Sequence, residues 1–257
     1  MPRKPRLKSR SGIYHVIYRG ANRQEIFHDE DDNMQFLATI LRYKQSSNLK
    51  VFAWCMMNNH VHLLLKEGNE DLSLTLKRIS VSFAYYYNAK YRTSGHLFQD
   101  RFRSENVESR EYFFTVIRYI HQNPVKAGIV QRVDEWNWSS CQGYDGKNIY
   151  PVGLLDYDFA LELVSNDILT ARERFKEFNQ RKNSDICLED EHKVRMTDED
   201  ARLAIRGVLG AIEIPQVKSM TKVERDSLLR KVKELDGLSQ RQAARILGVS
   251  ASLINRT

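Results

Sequence analysis

Over residues 12–109, the spacing of apolar side chains switches between a period of two and a period of 3.6 in a defined order. The order is strand, helix, strand, strand, helix, strand, and Asn58-Asn59 supplies a tight turn between the two consecutive strands. This succession is typical of the ferredoxin-like fold. It predicts an α+β domain with an antiparallel, RRM-type sheet and helices on one face. The segments that carry the pattern are GIYHVIYRG, DEDDNMQFLATILRYKQSS, KVFAWCMM, HVHLLLKE, DLSLTLKRISVSFAYYYNAKY and RFRSENVES.

A further amphipathic helix is predicted over SREYFFTVIRYIHQNP. Ser109 can cap its start, and Pro124 is expected to end it because proline lacks the amide hydrogen that continues a helix. Beyond it, a polar and charge-rich stretch marks the domain boundary. We expect a first domain over residues 1–165, a linker or connecting helices over 166–195, and a helical domain over 196–257.

The last predicted domain ends in the pattern of a helix-turn-helix. In LSQRQAARILGVSASLINR, Ser239 can cap one helix, Gly248 permits a tight turn and Ser250 can cap a second helix. Small and apolar residues lie where two such helices would cross closely. We therefore expect a small all-α helix-turn-helix domain, with a generic helical hairpin as the alternative.

The charge balance favours an acidic partner. The chain of 257 residues has a formal net charge of +7, which makes nucleic acid the first expectation and an anionic membrane surface the second. Its three cysteines are an odd number without a Cys-x-x-Cys pair, which is typical of reduced thiols. No stretch approaches the roughly 20 apolar residues that cross a bilayer. We expect a soluble, cytoplasmic protein without a membrane partner.

Two histidines stand one residue apart within an apolar strand pattern. His60 and His62 must point to the same face, where two neutral imidazoles can bind a metal ion. The plainer interpretation is one hydrogen-bonded core histidine and one incidental histidine. Tyr119 and Asn123 lie four residues apart on the predicted third helix, hence on one side of it. A phenol beside a metal that polarises a phosphate can attack phosphorus, and the Asn123 amide could be a third ligand.

The motifs NNHVHLLL, SGHLFQDRF, IRYIHQNPVKAGIV and WNWSS, in this order and spacing, resemble the single-tyrosine HUH transposases, especially the REP-associated tyrosine transposases. The resemblance extends over residues 12–144. It implies a ferredoxin-like sheet with the histidines on a central strand, Tyr119 as the nucleophile and Mg²⁺ or Mn²⁺ at the histidine pair. It also implies Asn123 as the residue that completes the metal site, with Gln122 as the second choice and His121 as incidental.

The resemblance further implies a DNA transposase that cleaves and rejoins single-stranded DNA through a 5′-phosphotyrosine intermediate. The DNA would contain a hairpin, the enzyme would be a homodimer, and the helix-turn-helix could add contacts with duplex DNA. A non-catalytic or domesticated DNA-binding regulator is the main alternative, and a metal-dependent hydrolase is another. The residues expected to contact DNA are Arg92, Arg101, Arg103, Arg118 and Lys126 in the first domain, and Arg241, Ser252 and Asn255 in the helix-turn-helix.

Overall fold

Four antiparallel strands form the central sheet of the first structural unit. The computed structural model describes residues 7–185, 187–188, 196, 198–235 and 237–256. The strands lie in the order β2-β3-β1-β4, and each neighbouring pair is antiparallel. β3 and β1 are therefore the central strands. The bounds are β1 (Ile13–Arg19), β2 (Lys50–Met57), β3 (His60–Lys66) and β4 (Arg103–Asn106).

The strand register determines which polar side chains share a face. On β1, His15 lies opposite Glu105 of β4, and Arg19 lies opposite His60 of β3. Because side chains alternate along a strand, His60 and His62 point to the same side of the sheet as these residues. These five polar side chains, which come from three strands, thus lie on one face of the sheet.

Two helices cover the other face, as the pattern of residues 12–109 predicts. They are α1 (Glu30–Ser47) and α2 (Leu72–Tyr91), which start at the capping carboxylates of Asp29 and Asp71. Phe36 and Phe83 on these helices are fully buried against Leu63 of the sheet layer. Each such side chain contributes roughly 1.5–3 kcal/mol through burial. Within the part of the chain that the structure describes, no helix combines the length and apolar character needed to cross a bilayer.

The expectation that helices lie on one face needs correction, because α3 (Arg110–Lys126) packs on the opposite face. The reason is visible in β2 and β3, whose central residues are buried on both sides of the sheet. A strand that is apolar in both directions must be covered on both faces. The layer over the histidine face also contains α4 (Cys141–Tyr144), α5 (Asp158–Val164) and α6 (Ile168–Gln180).

The prediction that Pro124 ends the third helix is also wrong. Helix α3 continues to Lys126, and the amide of Ala127 still bonds to the carbonyl of Asn123. Proline removes one amide donor, but its fixed φ angle is compatible with helix, so a final turn can follow it. The extra turn keeps Lys126 in helical register seven residues after Tyr119.

The chain divides into two compact units, residues 1–188 and 189–257. The division lies inside the segment 166–195, and α6 belongs to the first unit, where it packs against α3. The described part of the second unit has its own apolar core. Gly248 links its last two helices with a φ of 66°, which favours glycine. The helices of this unit are α7 (Asp198–Leu209), α8 (Lys222–Lys233), α9 (Gln240–Leu247) and α10 (Ala251–Arg256).

Candidate active site

The two histidines of the His-Val-His motif lie side by side at the start of β3. Their ring centroids are 5.1 Å apart and the ring planes meet at 80°. His62 is fully buried, whereas His60 is half-buried at the end of the strand. The side-chain oxygen of Asn59 lies 2.6 Å from Nδ1 of His60. Because that oxygen can only accept, Nδ1 of His60 carries the proton and Nε2 is the nitrogen able to bind a metal.

Tyr119 on α3 packs directly against this pair. Its ring lies edge-on to His62 with centroids 5.7 Å apart, and edge-on to His15 at 5.9 Å. The tyrosine is 3% exposed. The two motifs are therefore neighbours within one chain, although 57 positions separate Tyr119 from His62 (119 − 62). His60 is the most exposed member of this cluster.

A hydrogen-bonded chain behind the histidine pair was not anticipated from the sequence. Oε1 of Glu105 lies 2.7 Å from Nδ1 of His15, and Nε2 of His15 lies 3.1 Å from Nδ1 of His62. The rings of His15 and His62 stack at 5.3 Å. The alternation in GIYHVIYRG does place His15 and Arg19 on one face, but only the strand register shows that this is the face of the histidine pair.

Burial lowers the pKa of His62 well below its usual value of 6.5, and the nearby His60, His15 and Arg19 lower it further. The ring is thus neutral at neutral pH, which is the form that coordinates metals. At Glu105, burial acts to raise the pKa, but the hydrogen bonds that the carboxylate accepts, first that from His15, outweigh it and the pKa falls. Glu105 is therefore an ionised hydrogen-bond acceptor.

Three arginines lie near one another at the His60 end of the site. Arg19 lies directly across the ladder from His60. Burial lowers the pKa of Arg19, and the charges of Arg23 and Arg103 lower it further, which indicates three guanidinium groups close together. Arginine remains protonated in proteins and forms paired hydrogen bonds with phosphate. Among these three, Arg103 was predicted from the sequence, whereas Arg19 and Arg23 were not.

Asn123 and Lys126 follow Tyr119 along the same helix. The amide nitrogen of Asn123 donates to the carbonyl of Tyr119 at 3.0 Å, which holds its side chain one turn from the phenol. Nζ of Lys126 lies 4.6 Å from the centre of the Tyr119 ring. Both residues are thus adjacent to the tyrosine, and the role of Asn123 as a metal ligand stays a prediction.

His121 and Gln122 face away from the histidine pair and hold α6 instead. His121 bonds to the hydroxyl of Ser140 and to the side chain of Asn179, and it is fully buried. The side-chain nitrogen of Gln122 donates to the carbonyls of Asn179 and Arg181. The Gln122 oxygen, which would have to bind the metal, accepts from the side chain of Asn183 at 2.7 Å, and this contradicts the choice of Gln122 as a second candidate ligand.

The other predicted DNA contacts have diverse surroundings. Arg92 and Arg101 are exposed. Arg118 instead forms two hydrogen bonds with Asp185, at 2.7 and 2.9 Å, and stacks on Phe178. A DNA contact by Arg118 would require breaking this ion pair. In the second unit, the exposed predicted contacts are Arg241, Ser252 and Asn255.

The donor set around β3 fits a divalent ion that takes most of its ligands as oxygens. Within the described ranges, no group of three or more His, Cys, Asp or Glu side chains is placed to hold a metal. Both ring nitrogens of His15 are engaged by Glu105 and His62. His60 and His62 would therefore provide two imidazole ligands, and amide, phosphate or water oxygens would provide the others.

Comparisons with known proteins identify the same region. Residues 8–123 match the family described as Transposase IS200 like. A REP-associated tyrosine transposase of Escherichia coli K12 is 26% identical over 115 residues, which are 44% of this chain and 67% of the relative. A second, from Haemophilus influenzae, is 27% identical over 124 residues, 42% of this chain and 70% of the relative.

A solved structure of a REP-associated tyrosine transposase bound to a REP hairpin shares the fold. The TM-score is 0.50 and the sequence identity 22%, and the match covers 59% of this chain and 89% of the other. Residues 8–123 thus resemble the IS200-like transposases, and the same part of the chain is similar to the REP-associated tyrosine transposases.

Proposed function

We propose that this protein cleaves and rejoins single-stranded DNA through a covalent bond between DNA and Tyr119. The observation that carries the proposal is the edge-on contact, 5.7 Å between centroids, of the Tyr119 ring with His62. The strand order β2-β3-β1-β4 supports a ferredoxin-like assignment with the histidines on a central strand. The match of residues 8–123 to the family described as Transposase IS200 like supports transposition as the biological process.

Each residue of the site has a proposed task. His60 and His62, with Asn123 as a third ligand, would hold Mg²⁺ or Mn²⁺. The ion, when bound, supplies positive charge to a non-bridging oxygen of the scissile phosphate. Arg19 and Arg103 would bind and orient the phosphate, since Arg19 lies opposite His60 in the ladder and Arg103 lies near Arg19 on the same sheet face. The apolar contacts of Tyr119 hold the phenol in one orientation, which favours in-line attack.

The reaction needs no added energy source. A bond forms between the phenolic oxygen of Tyr119 and phosphorus, and the bond from phosphorus to the 3′ oxygen breaks. The phenol loses its proton and the departing 3′ oxygen gains one. The products are a 5′-phosphotyrosine and a free 3′-hydroxyl, and attack by another 3′-hydroxyl reverses the step and joins new ends.

The proposed substrate contains a DNA hairpin. The relative in the matched structure is bound to a REP hairpin, and the exposed cations Arg92, Arg101, Arg103 and Lys126 suit DNA phosphates here. We also propose α9 and α10 as a helix-turn-helix that adds duplex contacts through Arg241, Ser252 and Asn255. The resemblance to REP-associated transposases supports a homodimer, which sedimentation measurements can test.

The test uses single-stranded oligonucleotides that contain a hairpin and randomised flanks. With a 3′ label and Mn²⁺, the wild-type protein is expected to form a labelled species that survives denaturing electrophoresis, whereas a 5′ label is released on a free fragment. Tyr119→Phe abolishes the species, His60→Ala strongly reduces it, and a chelator removes it. Tyr85→Phe is the matched control, because Tyr85 is 75% exposed.

Imidazole ligands favour softer ions than Mg²⁺. Mn²⁺ is therefore expected to support the reaction at least as well as Mg²⁺. An adduct that persists in Tyr119→Phe would contradict the assignment of the nucleophile. Tight DNA binding by wild type without any adduct would instead favour the regulator.

A further inference from the structure

Two hydrogen bonds link Glu105, His15 and His62, and the chemistry of the carboxylate determines which atom donates in each. An ionised carboxylate can only accept hydrogen bonds, so Nδ1 of His15 donates to Oε1 of Glu105 across 2.7 Å. In a neutral imidazole the other nitrogen is then an acceptor. Nε2 of His15 consequently accepts across 3.1 Å, and Nδ1 of His62 must carry the proton. The lone pair of His62 is left on Nε2.

His60, the other histidine of the pair, has the same tautomer because of a different hydrogen bond. Nδ1 of His60 donates to the side-chain oxygen of Asn59 at 2.6 Å, which also leaves the lone pair on Nε2. Two independent hydrogen bonds thus select the same tautomer on both rings. Ring nitrogens that bind metals are oriented in this way, by a bond from the opposite nitrogen to an acceptor.

We infer that Glu105 and His15 are positioning residues that hold His62 in its metal-binding tautomer and orientation. The inference deepens the proposed function and rests on it. His15 is fully buried, so the imidazole cannot exchange these partners for solvent. Its role is distinct from that of a ligand, because both of its nitrogens are already engaged.

Glu105 is itself held in place, so the hydrogen-bonded series from Glu105 to His62 is rigid. Its Oε1 accepts the amide of Leu188 at 3.1 Å, and the hydroxyl of Tyr112 also donates to the carboxylate. Tyr112 belongs to α3, the same helix that presents Tyr119 to the histidines. The helix that carries the nucleophile therefore also anchors the far end of the hydrogen-bonded chain.

One alternative arrangement places the proton of His62 on the opposite ring nitrogen, and this difference can be measured. If His15 and Glu105 formed a simple ion pair, both nitrogens of His15 would be donors. Nε2 of His15 would then donate to Nδ1 of His62, and the proton of His62 would lie on Nε2, where it would block coordination. The tautomer of His62 in the metal-free protein distinguishes the two arrangements.

The first measurement is therefore the tautomeric state of full-length, metal-free protein labelled with ¹⁵N-histidine. Long-range ¹H–¹⁵N correlation spectra are expected to show protonated Nδ1 and unprotonated Nε2 at His15, His60 and His62. Protonated Nε2 at His62 would overturn the inference. This reading needs neither metal nor DNA, so it is independent of activity.

The second measurement is Mn²⁺ affinity without DNA, by calorimetry or by the spin resonance of free Mn²⁺. Glu105→Ala and His15→Phe are expected to weaken binding about tenfold to a hundredfold, the usual effect of removing such a partner. Glu105→Gln should retain part of the affinity, because its amide oxygen can still accept from His15. Glu111→Gln and His96→Phe are matched controls at exposed positions.

The outcomes separate this inference from the proposed function. An adduct at Tyr119 together with unchanged Mn²⁺ affinity in Glu105→Ala and His15→Phe would contradict the positioning role. It would still support the proposed strand transfer. The expected tautomers and affinities without any adduct would support the positioning role and contradict strand transfer. If His15→Phe fails to fold, as a thermal unfolding curve would reveal, Glu105→Ala and the wild-type spectrum still decide the matter.

Discussion

At the scale of single residues, the cations near the site differ in how far their side chains are exposed to solvent. Arg101 and Arg103 are exposed, whereas the guanidinium of Arg118 is paired with Asp185 and stacked on Phe178. The sequence motif RYIHQNP gives no means of separating these cases, because Asp185 is 67 positions away from Arg118. A cation in a partly buried ion pair stabilises the fold, while an exposed cation can bind phosphate.

This division predicts different responses to salt. Arg101→Gln and Arg103→Gln are each expected to reduce the slope of log affinity against log salt concentration by roughly 0.7 for single-stranded hairpin DNA. Arg118→Gln should leave that slope unchanged and lower the midpoint of thermal unfolding. Fluorescence anisotropy titrations at several salt concentrations provide the slopes. A reduced slope in Arg118→Gln with an unchanged unfolding midpoint would show that Arg118 contacts DNA.

At the scale of the element, α3 is the helix around which the site is organised. One side presents Tyr119 to the histidines, and Lys126 lies over that ring two turns later. Another side, with His121 and Gln122, holds α6 through buried hydrogen bonds. The aromatic and polar residues of this helix thus have separate roles, because each residue is rotated by about 100° from the one before it.

The buried contact of His121 predicts an acid-sensitive fold. Burial lowers the pKa of His121 to about 3, although the hydrogen bond with Asn179 opposes this shift. The unfolded chain binds a proton near pH 6.5 and the native state does not, so stability falls as the pH drops from 6.5 toward 3. The contribution approaches roughly 1.4 kcal/mol per pH unit within that window.

Replacing His121 by Gln should remove this contribution. At pH 7 the variant is expected to lose about 1–3 kcal/mol, because Ser140 or Asn179 loses a buried partner. Urea unfolding between pH 5 and 7 measures both effects, and His96→Gln at an exposed position is the control. Equal pH slopes in wild type and His121→Gln would contradict the buried, neutral state of His121.

At the scale of the whole molecule, the tyrosine, the histidines and their supporting chain all lie within residues 1–188. The described part of the second unit has a separate apolar core, made by the helices α7 to α10. Two separate cores are compatible with the two proposed functions, strand transfer by the first unit and duplex binding by the second.

A chain ending at residue 188 tests this separation. It retains the amide of Leu188 that holds Glu105, and it is expected to form the adduct with isolated hairpin DNA as full-length protein does. On DNA that carries the hairpin beside a duplex, its affinity should fall by about 10² because one of two linked binding modules is gone. Gel-shift titrations with both substrates make the comparison. Equal affinities on the composite substrate would exclude a duplex-binding role for the second unit.

Local periodicity was sufficient to predict much of the secondary structure. The order of strands and helices follows from the spacing of apolar residues, and the caps at Asp71, Ser109 and Ser239 follow from their side-chain chemistry. Pro124 is an exception. Proline lacks an amide hydrogen, but its φ angle is compatible with a helix, so the position of a proline does not by itself locate the end of the helix.

Backbone geometry was enough to predict that His60 and His62 share a strand face and that Tyr119 and Asn123 share a helix side, because residues two apart in a strand and four apart in a helix are neighbours. The packing of α3 across the histidine face, and the position of His15 and Glu105 behind His62, became visible only in the folded chain. Those contacts join residues 47 and 90 positions apart. They depend on strand register and on burial of both sheet faces, which no local pattern encodes.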